Sequence, residues 1–314
     1  MSKQRPTLVL AGATGFIGAM LVKAAIHVGY DVIRLVRSYP QERPAHCEDI
    51  LWLPGEGKLD ESVLVRSAGV VCLNGAPLIG KVWTDEYKEV LRDSRIDSVN
   101  TIVDAIGRLP SRQRPRCFIS GSAIGVYGSD SGDAVLTEGD APGSGFLADL
   151  CQEWEQAAQR CEEEFGVRSV QLRTSLVMGA EGGLLGMLKN LYRLGLGAQL
   201  SDGQMWMSTI SIVDYARAAL YLVSHDTVHG PVNMACPEPI RNEQWNKLLA
   251  QHLDRPAVLR APLGPLAKLF PNAVGETVLA SQRVYPQVLL EAGFAFTAPT
   301  VRDIFAQVLP QAHK

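Results

Sequence analysis

The sequence predicts an α/β fold, a doubly wound parallel sheet followed by a small C-terminal α/β substrate lobe, on three observations. A five-residue apolar strand, Thr7-Leu8-Val9-Leu10-Ala11, runs directly into Gly12-Ala13-Thr14-Gly15-Phe16-Ile17-Gly18 and then into an amphipathic helix. Strands and helices alternate through the first half, the pattern that right-handed crossovers impose on a parallel sheet. The chain has 314 residues, 46% of them hydrophobic and 20% charged, enough for a large core and one or two domains.

The strand–glycine–helix junction is of the Rossmann type and carries dinucleotide chemistry. Gly12 permits the tight turn, Gly15 lets backbone N–H groups approach a pyrophosphate, and Gly18 lets the helix pack closely on the strand. The N–H groups of Thr14, Gly15, Phe16 and Ile17 open the helix, whose N-terminus favours negative charge. Phe16, Ile17, Met20, Leu21, Ala24 and Ala25 form its apolar face. A second strand, Asp31 to Val36, follows. An acid about twenty residues after the glycines would bind a ribose 2′-hydroxyl, whereas a cation would neutralise a 2′-phosphate. Here the strand ends in Arg37 and Ser38 with no carboxylate beside them, so the cofactor expected is NADP.

Further along, a short apolar run, Ile50 to Leu53, stops at Pro54-Gly55. Val70 to Leu73 is a strand ending in the turn Asn74-Gly75-Ala76-Pro77, at the carboxyl edge where such sheets place ligands. Backbone at Leu73, Asn74 and Gly75 is expected to line the adenosine ribose or pyrophosphate. A long helix spans about Asp85 to Arg108, and Arg95 on it is a candidate for cofactor or substrate phosphate. Cys117 to Ser120 is the next strand. The helix from about Phe146 to Phe165 carries an apolar stripe at Phe146, Leu150, Trp154, Ala157, Ala158, Cys161 and Phe165 that packs one face on the sheet. After a strand over Val167 to Leu172, Met178 is a candidate neighbour of the nicotinamide end. The glycine-rich stretch Gly179 to Gly203 reads as an interruption of regular structure, and prolines from Pro256 to Pro271 as an irregular crossing before a last helix, Val301 to Val308. The expected division is a dinucleotide domain over 1–178 and a substrate-side lobe with a C-terminal extension over 179–314, about 205–235 returning to the core.

Composition narrows the partners. The net charge is −3 and basic residues are scattered, so a nucleic-acid surface is not expected. No run reaches the roughly eighteen apolar residues of a membrane span, and no cleavable apolar leader precedes the first strand, which points to a cytoplasmic protein. The six cysteines, 47, 72, 117, 151, 161 and 236, lack metal-type spacing and read as reduced, mostly buried thiols. The histidines make no helical zinc pattern, and no metal is expected. The expected partner is a small-molecule substrate, with the chain a monomer or homodimer.

Taken in order, these landmarks resemble the extended short-chain dehydrogenase/reductase superfamily, and within it the atypical, epimerase-like YfcH-type branch related to NAD-dependent epimerases and dehydratases. The resemblance covers nearly the whole chain. It rests on Gly12 to Gly18, on Trp83-Thr84 with Asp93-Ser94-Arg95, and on Ser120-Gly121-Ser122-Ala123 with Val126-Tyr127-Gly128. It continues through Phe146-Leu147-Ala148, Leu150-Cys151, Trp154-Glu155, Leu172-Arg173-Thr174 and Arg193 to Gly197. Ser281 to Pro286 and Ala292-Gly293-Phe294 match the branch's C-terminal extension.

The parent superfamily pairs a tyrosine with a lysine four residues later, the cation lowering the phenol's pKa so that it shuttles a proton. None of the eight tyrosines here is followed by lysine at that spacing; the residues found are Arg34, Arg43, Leu91, Ser131, Leu196, Ala219, His225 and Leu289. Alignment on Glu155 puts Leu147 and Cys151 at the two positions, and alignment one residue earlier puts Phe146 and Leu150 there. Related enzymes place a substrate-binding serine after this strand, which the resemblance implies for Ser122, with Ser120 beside the cofactor and Tyr127 as the local phenol. The family's Trp-Ile-His-Ile-Asp-Asp element reads Thr209-Ile210-Ser211-Ile212-Val213-Asp214 here, only Asp214 being kept. Two functions fit: an NADP-dependent epimerase/dehydratase or reductase using Ser122 and Tyr127 on a nucleotide-linked substrate, or a non-catalytic NADP-binding sensor or scaffold.

Overall fold

The computed structural model describes residues 5–261 and 274–309. Strands β1 (Thr7–Ala11), β2 (Asp31–Val36), β3 (Cys47–Leu51), β4 (Gly69–Cys72) and β5 (Cys117–Ala123) are connected through helices α1 (Phe16–His27) and α2 (Asp85–Arg108) and short 3₁₀ turns. Then follow β6 (Asp130–Leu136), α3 (Phe146–Phe165), β7 (Arg168–Thr174), β8 (Leu176–Met178), α4 (Gly183–Arg193), β9 (Ala198–Leu200), β10 (Trp206–Met207) and β11 (Thr209–Ser211). The chain continues with α5 (Ile212–Ser224), β12 (Gly230–Met234), β13 (Ile240–Arg241), α6 (Asn242–His252), β14 (Leu259–Ala261) and β15 (Ser281–Val284), and two short helices cover Gln287–Glu291 and Val301–Val308.

The main sheet has seven strands in the order β12-β7-β5-β4-β1-β2-β3. Adjacent ladders from β3 to β5 are all parallel. The strand order reverses between β1 and β4, the switch point at which a doubly wound sheet opens a crevice beyond its carboxyl ends. Buried on both faces, β1 and β4 are almost wholly apolar, as strands covered by helices must be.

Two compact units divide the chain. The first comprises residues 1–122, 152–172 and 216–231, the second 123–151, 173–215 and 232–314. The sequence suggested one boundary near 178; the chain first enters the second unit at 123 and returns to the first at 152, within α3. The first unit's core joins Val9, Val70 and Phe118 of the sheet to Ile102 and Ile106 of α2 and to Trp154, Ala158 and Cys161 of α3. From Trp154 onward the stripe read on α3 is thus the packing face, while Phe146 and Leu150 stand outside this core. In the second unit Ile124, Val126, Tyr127, Leu136, Cys151, Ala235 and Val284 form a separate cluster. All six cysteines are buried and none forms a disulfide, and burial drives the Cys72 and Cys161 thiols up to about 12.

The stretch 179–203 is not an interruption. It contains α4, which buries Leu185 and Tyr192, its glycines standing mainly before the helix and in its first turn. The apolar periodicity of Leu184, Leu185, Leu188 and Tyr192 outweighs them. Missed altogether was the pairing of β6 with β15, a parallel ladder between segments about 150 residues apart. Much of the expected Pro256–Pro271 crossing lies outside the described residues.

Candidate functional site

The glycine turn is built as its spacing requires. Gly12 adopts φ +80, and a Cβ there would come within 2.8 Å of the Leu73 carbonyl carbon. A Cβ on Gly18 would drive into the Gly12 carbonyl oxygen. These two positions therefore tolerate no side chain. Gly15 donates its N–H to Gly12 O at 3.1 Å and stands at the N-cap of α1, where no side chain caps the helix and no acid occupies the first turn. The opening N–H groups of Phe16 and Ile17 are the donors a helix leaves without intrahelical partners. Thr14 and Gly15 are exposed and Gly12, Phe16 and Ile17 half-buried, so a ligand can reach this backbone.

Beside it, the turn after β4 is stapled from α2. Ser94 Oγ accepts from Ala76 N at 2.9 Å, Asn74 Nδ2 donates to Ser98 Oγ at 3.2 Å, and Arg95 Nη2 donates to Ala76 O at 3.1 Å. Arg95 also donates to Leu91 O at 2.7 Å and lies 5.2 Å over the Trp154 ring. Expected to reach a ligand phosphate, it is instead buried, with its guanidinium 3.0 Å from where a Gly75 Cβ would stand. Arg95 fixes the shape of the turn. The Asp93-Ser94-Arg95 motif was visible in the sequence, but its task was not.

Arg37 and Ser38 are exposed beyond β2, and Arg37 has no ion-pair or hydrogen-bond partner among the described residues. Three residues earlier, Arg34 makes a buried two-point bond to Asp49, at 2.6 and 2.8 Å, and donates to Glu42 O at 3.3 Å. That pair anchors the strand from which Arg37 projects.

On β5, Ser120 is fully buried and its hydroxyl donates to Gly121 O at 2.9 Å, which withdraws it from the cofactor contact expected. Ser122 donates to Glu155 Oε1 of α3 at 2.7 Å, both groups being buried. A Cβ at Gly121 would meet Trp154 Cζ2 at 2.8 Å. Two neighbours on β5 thus accommodate two neighbours on α3: Gly121 makes room for Trp154, and Ser122 bonds Glu155. Glu155 was used in the sequence only to align the missing tyrosine and lysine.

In the second unit, Tyr127 is pinned rather than presented. Its hydroxyl lies 2.9 Å from Thr137 O and 2.7 Å from Asn233 Oδ1, and accepts from Arg173 Nη1 at 2.9 Å, with the Arg173 guanidinium 5.1 Å over the ring. Burial pushes the phenol up to about 12 despite the Arg173 charge. Met178 is fully buried on β8 beside β11 and offers no surface to a ligand. Ser211, where the family pattern has histidine, accepts from Asp214 N at 2.9 Å and so caps α5.

Among the described residues no helix is long and apolar enough to cross a membrane. The chain matches the profile of the NAD dependent epimerase/dehydratase family over residues 8–235 and that of a domain of unknown function, DUF1731, over residues 264–308. It is 33% identical over 302 residues to an epimerase family protein of Mycobacterium leprae, covering 96% of this chain and 95% of that one. A chloroplastic epimerase family protein of Arabidopsis thaliana, an SDR39U1 homolog, is 30% identical over 308 residues, covering 96% of this chain and 86% of its own. Among solved structures, human epimerase family protein SDR39U1 with NADPH superposes with a TM-score of 0.84 at 22% identity, covering 96% and 98%. A UDP-glucose 4-epimerase of Thermotoga maritima with UDP-glucose gives 0.76 at 17% identity, covering 96% and 97%. Profile, relatives and fold agree: the chain belongs to the NAD dependent epimerase/dehydratase family and ends in a DUF1731 domain.

Proposed function

We propose that the chain binds NADP(H) on its first unit and acts as an oxidoreductase of the epimerase type on a small polar, nucleotide-linked substrate. The observation that carries this is the junction of β1 with α1, where two glycines admit no Cβ and an uncapped helix start presents its N–H groups. Thr14, Phe16 and Ile17 would hold the pyrophosphate, with Gly15 leaving room for its approach, and Leu73, Asn74 and Gly75 would line the adjoining ribose. The exposed guanidinium of Arg37, with Ser38, would take a 2′-phosphate. The human relative bound to NADPH supports that choice, while another neighbour of this fold was solved with NAD. Bound nicotinamide supplies a hydride donor or acceptor. Of the two polar groups considered for proton handling we keep Ser122 and give Tyr127 a structural part, since its hydroxyl is occupied by Arg173 and Asn233.

Fluorescence titration tests the cofactor directly. NADPH should bind at least about tenfold more tightly than NADH, and Arg37→Ala should remove most of the difference while leaving NADH affinity unchanged. Equal affinities in the unmodified protein reject NADP. Tight binding with no turnover or epimerised product from any nucleotide sugar would favour the sensor.

A further inference from the structure

The hydroxyl of Ser122 has one proton, and the structure commits it to Glu155 Oε1 at 2.7 Å. A carboxylate only accepts, so Ser122 can offer other groups lone pairs and nothing else. Whatever hydrogen-bonds to Ser122 from the ligand side must donate. We infer that Ser122 and Glu155 form a relay that takes the proton of a substrate secondary alcohol, in place of the absent tyrosine–lysine pair. This rests on the nicotinamide reading above.

Three further observations carry it. The dyad belongs to the carboxyl end of β5, whose neighbour β4 pairs with β1 at the switch point, the edge at which this sheet type holds its ligand. Ser122 and Glu155 are 3% and 6% exposed, dry enough to strengthen their bond yet at a strand end. The strand and helix that carry the pair are closely packed, Gly121 making room for the Trp154 ring and the Arg95 guanidinium lying 5.2 Å over that ring.

The step balances. The alcohol O–H bond breaks and its proton passes to Ser122 Oγ while the Ser122 proton passes to Glu155 Oε1. The carbinol C–H pair leaves as hydride to an oxidised nicotinamide dinucleotide, and a ketone and a neutral Glu155 result. Reversal returns both to the carbon and oxygen, and from the opposite face it gives the epimer with no net redox change. Ser122 touches the substrate; Glu155 acts through Ser122 as a positioning residue and proton store.

The test uses the full chain loaded with NADP⁺ and three variants, Ser122→Ala, Ser122→Thr and Glu155→Gln. In difference infrared spectra, the carboxylate band that disappears in Glu155→Gln should shift in Ser122→Ala and return in Ser122→Thr. An unmoved band means the bond is not made in solution and overturns the relay. With a panel of secondary alcohols that includes UDP-glucose, Ser122→Ala and Glu155→Gln should each lower kcat by about 100-fold or more, with KM within about threefold of the parent and Ser122→Thr active. Unchanged kcat in Glu155→Gln overturns the proposal, and so does failure of the parent to turn over any alcohol when the band shift is seen. NADPH affinity should stay within about threefold in all three variants. Its absence in the parent chain would instead defeat the cofactor reading, so the two failures are distinguishable.

Discussion

The carboxylate of Asp214 is fully buried and closed on Thr297: one oxygen takes the Thr297 hydroxyl at 2.6 Å, and the other takes the N–H groups of Thr297 at 2.9 Å and Ala298 at 2.8 Å. An acid retained from the family's substrate-side element therefore serves as the clasp of the C-terminal extension. Charge-assisted bonds of this kind contribute about 1.5–3 kcal/mol each, and their donors are costly to bury unpaired. Asp214→Ala should cost about 3 kcal/mol or more in urea unfolding, with NADPH affinity unchanged. A loss below about 1 kcal/mol would show the clasp to be dispensable.

Gly18 faces the Gly12 carbonyl so closely that a methyl group cannot be relieved by a rotamer change, because the obstacle is backbone. Gly18→Ala should therefore push α1 off β1, costing more than about 2 kcal/mol and weakening NADPH binding by at least about tenfold. Calorimetry and fluorescence titration read the two effects. Gly29, around which a Cβ would meet nothing, is the control for stability, though its φ of +99 makes some strain unavoidable there.

Arg95→Lys keeps the charge and loses the fork that reaches Ala76 O and Leu91 O. The turn at 74–76 should loosen, raising the NADPH dissociation constant by about tenfold and lowering the melting temperature. If Arg95 contacted the 2′-phosphate, NADH affinity would be spared. The turn-fixing role predicts that both cofactors weaken together.

Glu138 accepts from Asn233 N at 2.9 Å and Val288 N at 3.3 Å through Oε1, while Oε2 is buried with no hydrogen-bond partner among the described residues. Burial raises its carboxyl above the ordinary 4.5. A raised acid keeps its proton in the folded chain where the unfolded chain has lost it, so its contribution is fully present below the unfolded value and is lost as pH rises through the folded one. Urea unfolding of Glu138→Gln from about pH 4 to about pH 7 should show a shallower fall in stability than the parent. An identical slope would mean that Glu138 ionises as freely in the folded chain as in the unfolded one.

Much of the architecture was legible because it is local. Gly12, Gly15 and Gly18 declare themselves by spacing, α3 by a stripe at helical period, and β1 and β4 by unbroken apolar runs. The C-terminal pieces were harder. The strand β15 finds β6 about 150 residues away, and no period in either segment encodes that partner. In α4 the glycines weighed too heavily against an apolar repeat that tertiary packing favours.

The sequence by itself determined that a dinucleotide turn is present, that the tyrosine–lysine pair is not, and that the sheet is parallel and doubly wound. The first two depend on residues within a few positions of one another, and the third on the order in which local elements follow along the chain. Only the tertiary structure decided what the isolated polar groups do: Arg95 braces a turn, Tyr127 is tied to Arg173 and Asn233, Asp214 clasps Thr297, and Ser122 meets Glu155. The physical reason is that a buried polar side chain must find partners, and here most of them lie 19 to 106 residues away in the chain, where no spacing rule reaches.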